Sequence, residues 1–263
     1  MTNSAYKYSS LVSDLTSLKK QHPHTPIFSI GKTVKNRTIF AIKSGGGPRR
    51  IFLNGCHHGT EWLTSKILMA FAEALVSGKV LTNASVYIVP MVNPDGVEIA
   101  SKGKYWQANA RGVDLNHNYD ALWELSKQTE VSYGITEPGP TRFGGSFPES
   151  EPETKAIANF TRQNNFDVTA SFHSQGEVIY YDFCGIVPAG TEEYLSRFEA
   201  VSNYKRDIPE GIASYGGYKD WFIKKYKKPA FTIEIGLGQN PLPLSDFDKV
   251  YAGVFPLLKE LVR

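Results

Sequence analysis

Cysteine is nearly absent from this chain: Cys56 and Cys184 are the only two in 263 residues, and no CxxC pair occurs. Two isolated thiols build no disulfide framework, and they suit a reducing cytoplasm. Long apolar runs are missing as well, so no membrane span is expected. Met1 to Lys20 has no unbroken apolar core and no small-residue cleavage site, so it does not read as a secretion signal. Charge of one sign is scarce: the net charge is +3. Lys19-Lys20, Lys224-Lys225 and Lys227-Lys228 read as solvated helix faces, which leaves nucleic acid outside the expected partners. Gly45-Gly46-Gly47-Pro48 lacks the GK[ST] tail of a phosphate cradle and reads as a turn. Internal repeats, linkers and low-complexity segments are also lacking, so residues 1–263 read as one domain.

What is present is a 41% hydrophobic, 13% aromatic chain with alternating strand and helix patterns. Helical spacing covers Tyr6 to Lys20, with Leu11, Leu15 and Leu18 on one side. Short β-type runs follow at Ile27 to Ile30, Arg37 to Ile42 and Arg50 to Asn54, then a helix over Glu61 to Ser77. A fully apolar strand is expected over Val86 to Val92, ending in a turn at Asn93-Pro94-Asp95-Gly96. Tyr105 to Pro148 reads as a long, mostly irregular segment, and such loops in small domains usually carry function. Beyond it come a helix over Ser150 to Asn164, strands over Val168 to Phe172 and Val178 to Phe183, and helices over Glu192 to Tyr204 and Gly217 to Tyr226. A strand over Ala230 to Gly236 and a closing helix over Ser245 to Leu261 complete the chain. The alternation predicts an α/β fold, its sheet mostly parallel or mixed, with helices on both faces.

The chemistry concentrates in His58-Gly59-Thr60-Glu61 and the distant His173. An imidazole and a carboxylate three apart reach one cation together when the chain turns into a helix between them. A second imidazole from a strand makes three protein ligands and leaves a position open, the layout of a catalytic zinc. Glu234 lies inside the apolar run Pro229 to Gly236, where an ionised group is costly unless it has a partner or a task. The task would be general base for water activated at the metal; a buried salt bridge is the bland alternative. Amide hydrolysis also needs a fixed positive group near the carbonyl oxygen, and Arg111 is the candidate. Asp114 is the candidate to orient a ligand histidine, and Asn116 to anchor a substrate carboxylate.

Asn54-Gly55 through Glu61-Trp62, Asn93-Pro94-Asp95-Gly96, Gly112 to Asn116, Ser171-Phe172-His173 and Phe231 to Glu234 together resemble the zinc carboxypeptidase family, in the same order. Trp106 to Asn116, His173 to Tyr180, Gly217 to Phe222 and Glu234 to Pro243 are most similar to the bacterial γ-D-glutamyl-L-diamino acid peptidases, which cut cell-wall peptides. The resemblance implies a three-layer α/β/α domain with a mixed, twisted, roughly eight-stranded sheet and one zinc per chain at the strand ends. It implies His58, Glu61 and His173 as ligands and Glu234 as the catalytic carboxylate. His57 competes with His58, but only His58 keeps the two-residue gap to Glu61.

Three departures separate this chain from the digestive carboxypeptidases. Gln107, not arginine, follows Trp106, so the oxyanion role falls to Arg111. Asn116-His117 replaces an asparagine–arginine pair that holds the terminal carboxylate, and imidazole grips a carboxylate less firmly than guanidinium. Their mobile tyrosine aligns near Ile212, which leaves Tyr215 or Tyr218 as a substitute. Lys219 aligns with the residue that sets leaving-side specificity and would meet a diaminopimelate carboxylate; Glu177 and Asp182 are candidates for an ammonium. The expected substrate is a small muropeptide cut at its γ-D-glutamyl–diamino acid bond. A cytoplasmic role in wall recycling or sporulation is expected, since LysM wall-binding repeats are not found. The rival readings are a conventional metallocarboxypeptidase, a zinc amidohydrolase of the acylamino-acid type, and a muropeptide-binding module without turnover.

Overall fold

Alternation within Arg50–Gly55 sets the layering, because Ile51 and Leu53 join one buried cluster while Phe52 joins another. The computed structural model describes residues 5–263; Met1 to Ser4, part of the stretch read as carrying no secretion signal, lie outside the described residues. Its strands are β1 (Ile27–Lys32), β2 (Thr38–Ser44), β3 (Arg50–Gly55), β4 (Ser85–Val89), β5 (Val168–His173), β6 (Val178–Tyr180), β7 (Lys205–Asp207) and β8 (Ala230–Glu234). They form one eight-stranded sheet in the order β1-β2-β4-β3-β5-β8-β6-β7. The centre, β4-β3-β5-β8, is parallel, whereas β1-β2, β2-β4 and β6-β8 are antiparallel. Parallel neighbours need long crossovers, and helices supply them.

Those helices are α1 (Tyr8–Gln21), α2 (Trp62–Val76), α3 (Pro94–Ala100), α4 (Trp123–Ser132), α5 (Pro152–Asn164), α6 (Thr191–Val201), α7 (Tyr218–Tyr226) and α8 (Phe247–Val262). Leu11 and Leu15 of α1, Ile67 and Phe71 of α2, Leu195 and Phe198 of α6, and Val254 and Leu258 of α8 share the Ile51–Leu53 side. Ile157 and Phe160 of α5 and Trp221 and Phe222 of α7 share the Phe52 side. The result is the expected α/β fold, a mixed sheet between two helical layers. Phe52 is fully buried and stacks on Phe166 at 4.8 Å between centroids. Truncating it to alanine is expected to cost about 3–5 kcal/mol.

Three local expectations are corrected. The strand expected to reach Val92 stops at Val89, where Pro90 has no N–H for the ladder. The turn expected at Asn93 to Gly96 is the start of α3, with Asn93 Oδ1 accepting the Gly96 N–H at 2.8 Å and Pro94 in the first turn. The irregular stretch from Tyr105 to Pro148 contains a 3-10 turn at Leu115–His117 and the helix α4. That helix buries only Trp123, Ser126 and Glu130, so its inward face gives little apolar periodicity to read.

Candidate active site

The carboxyl ends of β3, β5 and β8 lie side by side, the place where open parallel sheets gather ligands. Past β3 the backbone turns sharply through Cys56, at φ 58°, and delivers His58. A side chain at Gly59 would meet Gly96 and Trp106 backbone atoms at 2.4–2.6 Å, so only glycine lets the chain pass. Glu61 follows at the entrance of α2, and its N–H donates to the His58 carbonyl at 3.0 Å. His173 ends β5, in register with Glu234 at the end of β8.

His58, Glu61 and His173 each offer a ligand atom, all within 4.8 Å of one another. His58 Nδ1 stands 2.8 Å from Glu61 Oε1 and 3.3 Å from His173 Nδ1; His173 Nδ1 stands 3.0 Å from Glu61 Oε2. Zinc ligands at ordinary bond lengths in a tetrahedron stand about 3.3 Å apart, so this spacing fits the ion. Glu61 Oε2 is buried without a hydrogen bond, which also fits a group prepared for a cation. Burial works against charge on His58, yet Glu61 and Asp114 raise its pKa well above the ordinary value. Burial likewise opposes the Glu61 charge, but the His58 and His173 imidazoles hold its carboxyl at about 2. Asp114 accepts from His58 Nε2 at 3.0 Å, which leaves Nδ1 for the metal. Asn93 steadies the floor, donating to the carbonyls of His57, Gln107 and Ala108 at 2.9–3.1 Å.

A cavity of about 590 Å³ opens over this trio, and Glu234, Arg142, Asn116, Lys219 and Asp220 help to line it. Burial pushes the Glu234 carboxyl up to about 8, and the Glu61 charge adds to the effect. Asn116 Oδ1 accepts the Tyr218 N–H at 3.1 Å, so its amide NH2 is the group it can present to the cavity. Lys219 is 3% exposed and donates to the Asp182 carbonyl and to Asp220 Oδ1. Residues 11–256 match the family model for zinc carboxypeptidases.

The chain belongs to the zinc carboxypeptidase family. It is therefore a zinc metallopeptidase, a hydrolase acting on peptide bonds. It is 35% identical to γ-D-glutamyl-L-diamino acid endopeptidase 1 of Lysinibacillus sphaericus, over 94% of this chain and 69% of that protein. It is 24% identical to mast cell carboxypeptidase A of Rattus norvegicus, over 87% of this chain and 63% of that one. Bovine thrombin-activatable fibrinolysis inhibitor, solved with a tick carboxypeptidase inhibitor, shares the fold with TM-score 0.82, 20% identity and coverage of 99% and 97% of the two chains.

Three residues assigned to the site from the sequence lie elsewhere in the fold, and His57 lies outside the trio as the spacing to Glu61 predicts. Arg111 is a correction: its side chain is 56% exposed, reaches Glu151 Oε2 at 3.5 Å and does not line the cavity. His117 is another, buried behind the wall with Nε2 3.3 Å from Arg142 Nη1. Tyr218 is a third: it is fully buried, its hydroxyl 2.9 Å from Thr161 Oγ1, where helix α7 meets the aromatic core. His57 turns its Nε2 to the Tyr119 hydroxyl at 3.0 Å, away from the ligand trio. The residues missed are Arg142, Asp220 and Asn240. Asn240 Nδ2 donates to the Ser174 carbonyl at 2.6 Å and lies 3.5 Å from Glu61 Oε1. Arg142 lies within the irregular stretch Tyr105 to Pro148, where its sequence signal is a lone arginine before Phe143-Gly144-Gly145.

Proposed function

We propose that this chain hydrolyses the bond between γ-D-glutamate and an L-diamino acid, meso-diaminopimelate or lysine, in peptides derived from peptidoglycan. The observation that carries the reading is the charge pattern of the cavity: Arg142, Lys219 and Asp220 stand around the same space as the ligand trio and Glu234. A γ-linked glutamate leaves its α-carboxylate free beside the scissile amide, and diaminopimelate adds further charges of both signs. A cavity holding guanidinium, ammonium and carboxylate groups matches that substrate better than it matches one apolar C-terminal residue. The 35% identical relative is named for cleaving this class of bond, which supports the reading.

When bound by His58, Glu61 and His173, zinc supplies Lewis acidity that polarises the amide carbonyl and makes water acidic near neutrality. Asp114 keeps the His58 ring turned toward the ion. Glu234, which a bound cation would help to ionise, takes the proton of the attacking water and returns it to the leaving amine. Asn116 offers its amide NH2 to a carboxylate, and Lys219 offers its remaining N–H to the diamino acid's far end. Residues 1–263 act as one catalytic domain in this reading. Among the described residues no helix is long and apolar enough to cross a membrane. A cytoplasmic role in wall-peptide recycling or sporulation is the finer part of the proposal, supported by two unpaired cysteines of which Cys184 is exposed.

The test offers zinc-loaded protein L-Ala-γ-D-Glu-meso-diaminopimelate, its L-lysine analogue and ordinary α-linked peptides, and follows the released amino acids by chromatography. Release of either diamino acid is expected. Cleavage of the α-linked peptides alone would replace this reading with a conventional carboxypeptidase.

A further inference from the structure

Arg142 is the one cavity-lining cation with no carboxylate at ion-pair distance among the described residues; Lys219, by contrast, is paired with Asp220. Its backbone is fixed from one side, where the N–H donates to Asp114 Oδ2 at 2.9 Å. Asp114 is the carboxylate that also holds the His58 ring, so the arginine and the metal ligand share one anchor. The backbone at Arg142 has φ 69°, a left-handed conformation that side chains with a Cβ rarely adopt. Such conformations collect where a site must be held in one geometry.

The guanidinium is fixed from the other side by His117. Arg142 Nη1 lies 3.3 Å from His117 Nε2, and a guanidinium can only donate. His117 Nε2 must therefore accept, which puts the ring proton on Nδ1. That nitrogen faces Ser126 Oγ at 3.5 Å and Glu130 Oε1 at 3.9 Å, both buried acceptors on α4. Glu130 in turn accepts the Gly144 N–H through both oxygens at 3.1 Å, two residues beyond Arg142. Burial, against the pull of Asp114, and the nearby Arg142 charge keep the imidazole neutral by lowering its pKa to about 4. A charged ring here would repel the guanidinium; a neutral one can brace it.

We infer that Arg142 grips a substrate carboxylate flanking the scissile amide, and that His117 is its positioning residue, acting only through the arginine. The residue after Asn116 thus reaches the substrate indirectly, and the positive charge enters from the loop before Phe143. The inference rests on the peptidase reading above for its substrate. Two carboxylates flank the amide, that of the γ-linked glutamate and that of the diamino acid, and the test separates them.

Kinetics are measured for wild type, Arg142→Ala, Arg142→Lys, His117→Ala and His117→Gln on the free-acid tripeptide and on two analogues, each with one flanking carboxylate amidated. Wild type is expected to lose about 10- to 100-fold in kcat/KM, mainly through KM, on the analogue whose gripped carboxylate is masked. Arg142→Ala is expected to lose as much on the free acid, at unchanged zinc content, and little more on that analogue. His117→Ala is expected to move in the same direction, and His117→Gln, which restores an acceptor, to recover part of the loss. Equal losses on all three substrates, or none for Arg142→Ala, would overturn the inference. So would wild type that treats both amides like the acid, a result that needs no variant to fold. If wild type cuts only α-linked peptides, the γ-D-glutamyl reading fails while the grip is still judged by comparing a C-terminal acid with its amide.

Discussion

The Asp114 carboxylate accepts a hydrogen bond from His58 Nε2 at 3.0 Å, and this contact leaves Nδ1 as the imidazole nitrogen that could meet an ion. Its other oxygen takes the Arg142 N–H, and Asn116 N–H binds Oδ1 at 3.1 Å, so the carboxylate has no slack. Burial favours a neutral Asp114, but the His58 ring and Arg142 hold it ionised, well below the usual carboxylate range.

Asp114→Asn replaces one of these acceptor oxygens with an NH2 and removes the charge. Zinc affinity is expected to fall about 10- to 100-fold, as for other partners behind ligand histidines. Competition with a chromogenic chelator measures it, and an unchanged affinity would rule out an orienting role.

Glu234→Gln keeps the size of the side chain but abolishes its capacity to carry a proton. Because it is not among the ligand trio, zinc should remain at one ion per chain by elemental analysis. Turnover should fall by about 100- to 10,000-fold. A variant that lost its zinc instead would reassign Glu234 to metal binding.

How much of this was legible in the sequence depends on which physical signal each residue carried. His58, Glu61, His173 and Glu234 could be picked out because a polar group in an apolar strand, or a close His–Glu spacing, is unusual by itself. The layers followed from period-2 and period-3.6 apolar patterns, as in β3 and α1. Helix α4 escaped because Trp123 is the lone apolar residue on a buried face it shares with Ser126 and Glu130, and β7 because Lys205–Asp207 is a short polar edge. Arg111 and Arg142 cannot be told apart in one dimension. Only the fold shows that Asn109 Oδ1 accepts the Arg111 N–H at 2.9 Å while the guanidinium points to Glu151, and that Arg142 faces the cavity.

Tyr218→Phe removes a hydroxyl whose neighbours are Thr161 and Thr169, not the cavity. It is expected to leave kcat/KM unchanged and to cost about 1 kcal/mol of stability, plus any penalty for the unpaired threonine. Urea unfolding and steady-state kinetics on one preparation measure both. A large loss of kcat/KM at full stability would return Tyr218 to the site.

Glu153 gives the chain a pH dependence of stability that can be isolated. Its carboxylate is fully buried at the start of α5, accepting the Val34 N–H at 3.0 Å and Asn109 Nδ2 at 3.1 Å. Burial raises its pKa from 4.5 to about 7, opposed by the hydrogen bonds from Val34 and Asn109. A folded-state value above the unfolded one means that the folded protein binds the extra proton. The stabilisation is therefore complete below about pH 4.5, is lost as pH rises through about 7, and amounts to about 3 kcal/mol in all. Glu153→Gln removes this titration. Its NH2 faces the Asn109 donor, which adds a penalty that does not vary with pH, so only the slope carries the prediction. The unfolding free energy of the variant minus that of wild type should climb by about 3 kcal/mol between pH 4 and pH 8. A difference that stays flat would show that the carboxyl titrates normally, and that the Asn109 loop leading to Asp114 does not rest on a proton held by Glu153.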